Sequence, residues 1–522
     1  MLIYKREKVI MLKYDLDDLG YQYRGAASTK LDKMEIGPWT IIDIPQHVDN
    51  VEQEVKTFLD KIVAVEIPTS LKCNLRCKYC YISDPRMKNK EVSKEIVTKI
   101  LEEFSKKFPK WIDNKDKVFI SPWGAEPFMN IDTLEACYEF LHEKYGKDKY
   151  VLGTSTNGTI WSKRTSEWFT NLINDNALRD IQISLDGPPE VHDRYRPLAG
   201  GKPTFKLIES FSKNFFDLMK ELGVKEKKHH FCSTIHLLDP EFPNMWTKAA
   251  EFFSEPNQWY TSLPNLPMRM SGEDLYSVRE IERFIEAQKL ILEVIRKRAK
   301  EGINVIDFYT SKLFMDIQCR TKNAFPFCSA MNSQLGIDVD GSIYPCHGPI
   351  TTPEYKPYLW IGNLFDGVIS YSKLKRNLYY QYGSIWNRAK CVSCPIYHYS
   401  SGSICWSCPP HNLAVTGEPS IDNVLKCIAY TESFPYWIEI AKINGIDNKI
   451  LEELPKEYNI RPKDINKNSL KIDYSKFNHY DRNYDGIIDK AVNKVCGKDL
   501  DTRDLFYTDK WWKFDNFLKE AE

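Results

Sequence analysis

No apolar run in these 522 residues reaches the ~18 needed to span a bilayer. An excess of one charge sign is also missing. Lysine plus arginine total 72 and aspartate plus glutamate total 72, so nothing in the overall charge attracts nucleic acid or an anionic membrane. The opening stretch, MLIYKREKVIMLKYD, is too interrupted by charge to read as a signal peptide. There is no low-complexity stretch and no repeat beyond an alternation of strand and helix. These absences point to a cytoplasmic protein with neither nucleic acid nor membrane as partner. In that compartment the 14 cysteines argue for metal sites rather than disulfides. A hydrophobic content of 42% can fill a large core, and the length predicts two or three domains.

The cysteines are not scattered. Cys73, Cys77 and Cys80 stand in CNLRCKYC, with three and then two residues between them. Three thiolates on one short loop can hold three irons of a [4Fe–4S] cube and leave the fourth open to a small molecule. A cluster that only carries electrons normally has four cysteine ligands. The other metal reading is zinc, but structural zinc usually takes four ligands in paired knuckles, and no second knuckle lies nearby. With Tyr79 just before the third cysteine, the loop resembles that of the radical S-adenosylmethionine (SAM) enzymes. The resemblance implies that the open iron chelates SAM. One electron then splits SAM into methionine and a 5′-deoxyadenosyl radical, which abstracts hydrogen from a substrate.

From residue 63 the pattern alternates. Strand-like runs at 62–68, 117–121, 150–156, 180–186, 229–237 and 258–263 are separated by helical stretches at 93–108, 130–146, 162–175, 204–222 and about 275–300. This predicts an α/β fold with a parallel sheet and right-handed crossovers, expected as a (β/α)6 partial TIM barrel, the radical SAM core, over 63–310. Active sites of such folds lie at the C-terminal strand ends, and the cysteine loop follows the first strand. Residues 1–62 are either a cap or a substrate-docking segment. A tail over 431–522 opens with a helix.

Further motifs carry the resemblance. WGAEPF, with Gly124, Ala125 and Glu126, resembles the family's GGEP motif with its second glycine replaced. A glycine admits close backbone approach, and a carboxylate can accept from SAM's ammonium group. QISLDGPPEVHDRYRP resembles an element of sulfatase-maturing and peptide-maturing members, which implies that Ser184 and Arg196 contact SAM. Asp186, His192 and Asp193 either share that work or only order the loop. Asn157 of the TNG tripeptide either faces the cofactor or shapes a turn. Leu263 is expected to touch adenine.

A second cysteine-rich stretch spans 319–430. Cys328, Gly341, Cys346, Cys391, Cys394, Cys405, Cys408 and Cys427, with the phrases GSIYPC and IGNLFDG, resemble the SPASM domain. That resemblance implies two auxiliary [4Fe–4S] clusters. Cluster I would take Cys319, Cys328, Cys346 and Cys408, and cluster II would take Cys391, Cys394, Cys405 and Cys427. Ten residues separate Cys394 from Cys405 where about five are usual, and two separate Cys405 from Cys408 where three are usual, which leaves the split between clusters open. Zinc knuckles are the other reading of the two CxxC pairs. His347 stands where sulfatase-maturing members carry an aspartate thought to take the substrate proton. It is either a base or a hydrogen-bonding neighbour of the cluster. Cys137, Cys232 and Cys496 read as incidental thiols. Asp481, Asn483, Asp485, Gly486 and Asp489 begin like a calcium loop, but Val492 stands where a bidentate glutamate belongs, so a metal-free turn is expected.

The whole resembles a radical SAM/SPASM maturase with three [4Fe–4S] clusters and SAM. It implies a peptide or protein substrate and a reducing partner such as flavodoxin or ferredoxin. The expected product is an oxidative modification such as a thioether or carbon–carbon crosslink. Formylglycine formation in a sulfatase is the alternative, and a non-catalytic iron–sulfur electron carrier is the reading from another class.

Overall fold

The computed structural model describes residues 32–45, 48–80, 82, 92–108, 117–261, 266–270, 278–307, 309–310, 330–331, 333–352, 355–378, 408–410 and 424–445. Its centre is a run of parallel strands paired in chain order: β3 (Ala64–Ser70), β4 (Val118–Gly124), β5 (Tyr150–Thr156), β6 (Leu178–Ser184), β7 (His229–Ile235) and β8 (Met268–Met270). Five of the six lie where alternation places them. The sixth does not. Residues 258–261 are a turn, in which Tyr260 stacks on Phe252 at 3.6 Å and Thr261 Oγ1 donates to the Glu255 carbonyl at 2.7 Å. Tyr260 thus packs on the preceding helix and Trp259 on Phe205 and Phe231, and β8 forms later.

The helices follow from their own signals. Lys94–Lys107 is capped by Ser93, whose Oγ accepts from the Ile96 N–H, and it carries Glu95 in its first turn and Lys106 and Lys107 in its last. Ser162 caps Lys163–Asn174 in the same way. Such caps contribute about 1 kcal/mol each. Ile131–Tyr145, Phe205–Glu221 and Val278–Lys300 occupy the other expected stretches. The helices Val51–Lys61, Pro189–Tyr195, Phe242–Phe253 and Tyr371–Leu378 are among those the sequence did not predict.

The sheet does not stop at β3. Its order is β1-β2-β12-β11-β10-β9-β3-β4-β5-β6-β7-β8. Here β1 (Asp32–Ile36) and β2 (Trp39–Ile44) form a hairpin, and β9 (Gln334–Ile337), β10 (Ser342–Tyr344), β11 (Gly362–Asn363) and β12 (Val368–Ser370) form an antiparallel meander. β9 joins β3 in parallel and β12 joins β2. The phrases GSIYPC and IGNLFDG hold β10 and β11 of this meander and the turn residues beside them. Gly341 sits at φ 83, and a Cβ there would meet the Phe365 ring at 2.6 Å. A Cβ at Gly362 would meet the Val368 carbonyl at 2.1 Å. Lys107 ties the pieces together: its carbonyl accepts from Trp39 Nε1 at 3.0 Å and its Nζ donates to the Leu364 carbonyl at 2.6 Å.

The expected tail helix is present and starts earlier, as Val424–Ile443, packed on Val278–Lys300 with Trp437 Nε1 donating to Gln288 at 2.9 Å. No described helix is long and apolar enough to cross a membrane. Cys496 and the calcium-like stretch from Asp481 lie outside the described residues.

Asp307 gives a test of this core. Its carboxylate accepts from the Tyr309 and Thr310 N–H groups at 2.9 and 3.2 Å, and burial pushes its pKa from 3.8 up to about 6. The folded protein therefore holds a proton that the unfolded chain releases, so this group's contribution to stability falls as pH rises between those values. Asp307→Asn keeps an acceptor and removes the charge. Unfolding measured near pH 5 and near pH 7.5 should show the variant gaining on wild type by about 1 kcal/mol over that interval. A pH-independent difference would show that the carboxyl is not held protonated.

Candidate active site

Parallel register sets one polar face. Glu66 pairs with Ser121, Pro68 with Trp123, Ser155 with Gln182, and Ser184 with Cys232. Paired residues point the same way, so these side chains share a face. The alternate residues Val65, Ile67, Ile120, Ile181 and Ile183 are buried on the other. The ends of β3 to β7 carry the loops in which the sequence motifs fall.

The cysteine loop leaves β3 and is pinned along its length. Arg76 N–H donates to the Pro197 carbonyl at 2.9 Å, Lys78 N–H to that of Tyr195 at 3.0 Å, and Ala199 N–H to that of Asn74 at 2.9 Å. Cys73, Cys77 and Cys80 are all partly exposed. Burial pushes the Cys73 thiol up to about 11 and the Cys77 thiol up to about 12. A cation at the loop inverts that preference and yields thiolates. Among the described residues no three metal-ligating groups converge on a single-ion site. Three cysteine thiolates on one loop are the donor chemistry of an iron–sulfur cluster.

Glu126 is fully buried between this loop and β5. Its Oε1 accepts from Thr156 Oγ1 at 2.9 Å and from Phe128 N–H at 3.1 Å, and Oε2 accepts from Asn157 N–H at 2.6 Å. Burial pushes the carboxyl up to about 7. Next in the chain, Phe128 enters a cluster of rings with Trp168, Phe169 and Phe211. A Cβ at Gly124 would lie 2.0 Å from the Ser70 carbonyl oxygen, so the approach that requires this glycine is to β3. Loss of the Glu126 acceptor leaves three buried donors unmatched. Glu126→Ala should therefore destabilise the fold by roughly 1.5–3 kcal/mol in chemical unfolding. Glu126→Gln, which keeps an acceptor oxygen, should lose less. Equal losses would mean that these hydrogen bonds do not brace the loop.

Asn157 shapes the expected turn and also reaches the cysteine loop. Its Oδ1 accepts from the Thr159 N–H at 3.0 Å, closing a turn, and its Nδ2 lies 3.6 Å from Cys73 Sγ and donates to Asn74 Oδ1 at 2.9 Å. Ser184 ends β6, half-buried. Arg196 is buried, with Nη1 4.0 Å from Cys77 Sγ and its guanidinium over the Tyr79 ring at 5.3 Å. His192 and Asp193 order the loop. Asp186 N–H donates to His192 Nδ1 at 3.1 Å, and Asp193 Oδ1 accepts from the Thr204 and Phe205 N–H groups at 2.7 and 2.8 Å. Leu263 lies outside the described residues.

Of the second cysteine group, Cys346 and Cys408 are described and partly exposed. A Cβ at Gly348 would lie 3.5 Å from both Cys346 Sγ and Pro410 Cβ, which brings the 408–410 segment beside Cys346. Cys427 falls in the helix Val424–Ile443. Cys319, Cys328, Cys391, Cys394 and Cys405 lie outside the described residues. Cys137 and Cys232 are buried, and burial pushes the Cys137 thiol up to about 12, which leaves it inert.

One functional candidate escaped the sequence. Glu66, in the middle of β3, accepts from the His347 N–H at 2.7 Å and faces its Nδ1 at 3.0 Å, with the Trp123 ring 5.2 Å from the imidazole. Its only signal was a charge inside an apolar strand.

Comparison with known proteins adds the following. Residues 67–253 match the Radical SAM superfamily. A serine-type anaerobic sulfatase-maturating enzyme of Bacteroides thetaiotaomicron is 23% identical over 444 residues, 80% of this chain and 98% of that protein. The solved structure of native anSMEcpe with bound AdoMet has a TM-score of 0.54 and 18% identity, covering 73% of this chain and 100% of that one. Native anSMEcpe with bound AdoMet and Cp18Cys peptide has a TM-score of 0.52 and 18% identity, covering 74% and 100%. These structures share the α/β fold with its parallel strands.

Proposed function

We propose that this chain, whose residues 67–253 match the Radical SAM superfamily and which is similar along most of its length to an anaerobic sulfatase-maturating enzyme, is a radical SAM enzyme that oxidatively modifies a residue of a peptide or protein substrate. The radical SAM superfamily uses a [4Fe–4S] cluster and SAM. The observation that carries the reading here is the pinned loop of Cys73, Cys77 and Cys80 beside Arg196 and Asn157. When bound, the cluster and SAM supply a 5′-deoxyadenosyl radical that takes one hydrogen atom from the substrate.

The protein's own residues do the rest. Arg196 and Ser184 orient SAM, Tyr79 supports Arg196, and Glu126 braces the loops around them. We read 63–310 as a partial-barrel core, 1–62 as a cap on it, and 319–430 as a SPASM domain with two further clusters. Cluster I is assigned to Cys319, Cys328, Cys346 and Cys408, and the nearness of Cys346 to the 408–410 segment supports that grouping. Cluster II is assigned to Cys391, Cys394, Cys405 and Cys427. An auxiliary cluster would accept the second electron as the substrate radical closes its shell. His347, whose Nδ1 Glu66 engages, is the residue proposed to receive the accompanying proton. A low-potential flavodoxin or ferredoxin would supply the first electron.

A histidine in place of the aspartate favours a thioether or carbon–carbon crosslink as product. The near full-length match to a sulfatase-maturating enzyme favours formylglycine. Incubation with SAM, dithionite and deuterated peptides separates these outcomes. Deuterium in 5′-deoxyadenosine with a product inert to hydrazide indicates a crosslink. A hydrazide-reactive product indicates formylglycine. Formation of 5′-deoxyadenosine with no deuterium from any peptide would remove the peptide reading.

A further inference from the structure

Asp186 has no cofactor role in the reading above, yet it sits at the centre of the groups that do. We propose that Asp186 is a positioning residue: its buried carboxylate holds Arg196 and Tyr79 against the Cys77 arm of the cysteine loop and balances the guanidinium charge there. The proposal rests on the reading of Cys73, Cys77 and Cys80 as cluster ligands.

The carboxylate is fully buried and receives donors only. Oδ1 accepts from Arg196 Nε at 3.0 Å and from Thr234 N–H at 3.0 Å, and Oδ2 accepts from the Tyr79 hydroxyl at 2.5 Å. Acceptance on both oxygens is the pattern of an ionised carboxylate. These contacts join three segments: the cysteine loop, the end of β7 and the stretch after Pro189–Tyr195. The backbone of Asp186 is fixed as well, by its N–H to His192 Nδ1 at 3.1 Å and by Ser233 Oγ donating to its carbonyl at 3.0 Å. Because His192 Nδ1 accepts, the ring proton sits on Nε2, which donates to Thr204 Oγ1 at 3.1 Å; that hydroxyl donates to the Arg196 carbonyl at 2.6 Å. The side chain and the main chain of Arg196 are therefore both held from one aspartate.

A buried Asp–Arg pair is by itself weak evidence of anything beyond folding. What distinguishes this pair is where both partners of Asp186 end. Arg196 Nη1 is 4.0 Å from Cys77 Sγ, and Tyr79 lies between Cys77 and Cys80 in the chain, its ring beneath the guanidinium. The reduction potential of an iron–sulfur cluster follows net charge and hydrogen bonds to its sulfurs. A guanidinium whose Nε is committed to Asp186 keeps its remaining N–H groups for the cysteine side and for a carboxylate ligand.

The test uses two nearly isosteric changes in the full-length, reconstituted protein. Asp186→Asn removes a negative charge beside the cluster, so the midpoint potential of the SAM-responsive cluster, followed by electron paramagnetic resonance, should move positive. SAM binding should weaken by about tenfold or more as Arg196 loses its charged partner. Tyr79→Phe keeps the ring and removes one donor from the carboxylate, so the potential should move the opposite way. A purely structural role predicts no such pair of opposed shifts. Unchanged potential and SAM affinity in both variants, with iron retained, would overturn the proposal. If Asp186→Asn fails to assemble the cluster, Tyr79→Phe decides by the same readout. A SAM-responsive signal that survives replacement of Cys73, Cys77 and Cys80 in the otherwise unchanged protein would instead overturn the reading of the site.

Discussion

Alanine at Cys73, Cys77 and Cys80 together should remove about four of the about twelve irons that the three proposed clusters would hold, and abolish 5′-deoxyadenosine formation. The effect is expected to be total because three thiolates are the whole protein contribution to an open-iron cluster. The other described cysteines of the parallel-strand region offer no substitute: Cys137 and Cys232 are buried in a helix and in β7. The loop itself should survive, since its backbone is held by Pro197, Tyr195 and Ala199 and not by metal alone. Iron analysis and circular dichroism of the anaerobically reconstituted variant test both halves. A wild type that binds only about four irons would retire the two auxiliary clusters, and cleavage persisting in the triple variant would retire the loop.

That loop was legible because its information is local. Three cysteines within eight residues carry the proposed cluster chemistry in their spacing, whatever surrounds them. The parallel strands were legible for a related reason. Runs such as YVLGTST are mostly buried and read as nearly continuous strand formers, and β5 begins and ends where that run does. The turn at 258–261 misled because Trp259 and Tyr260 are good strand formers, and only tertiary packing against Phe252, Phe205 and Phe231 shows why they lie in a turn. β9 to β12 span two to four residues each, too short for a period, and their pairing with β2 and β3 joins segments hundreds of positions apart. The site divides in the same way. Asp186 and Arg196 share one motif and were noticed together, although the hydroxyl of Tyr79 reaches them from 107 positions away. Glu66 and His347, 281 positions apart, could be paired only by the fold.

Replacing Cys391 and Cys394 with alanine should separate the two halves of the reaction. Both belong to the proposed second auxiliary cluster, whereas radical generation is assigned to the iron that Cys73, Cys77 and Cys80 are proposed to hold. The variant should therefore still form 5′-deoxyadenosine when SAM and dithionite are supplied without substrate. It should not release modified product, because the substrate radical must lose an electron to reach a closed shell and its proposed acceptor is gone. The iron count should fall by about four, the content of one cube. Cluster ligation also organises the chain around it, so lost product alone is ambiguous. The decisive quantity is the ratio of product to 5′-deoxyadenosine in a variant that keeps iron at the first site and wild-type circular dichroism. A ratio near zero assigns the second cluster to electron removal. An unchanged ratio in the same well-folded variant would leave it a staple of the fold, and the electron would then have to leave through Cys346 and its neighbours, on the loop that Glu66 fastens to β3.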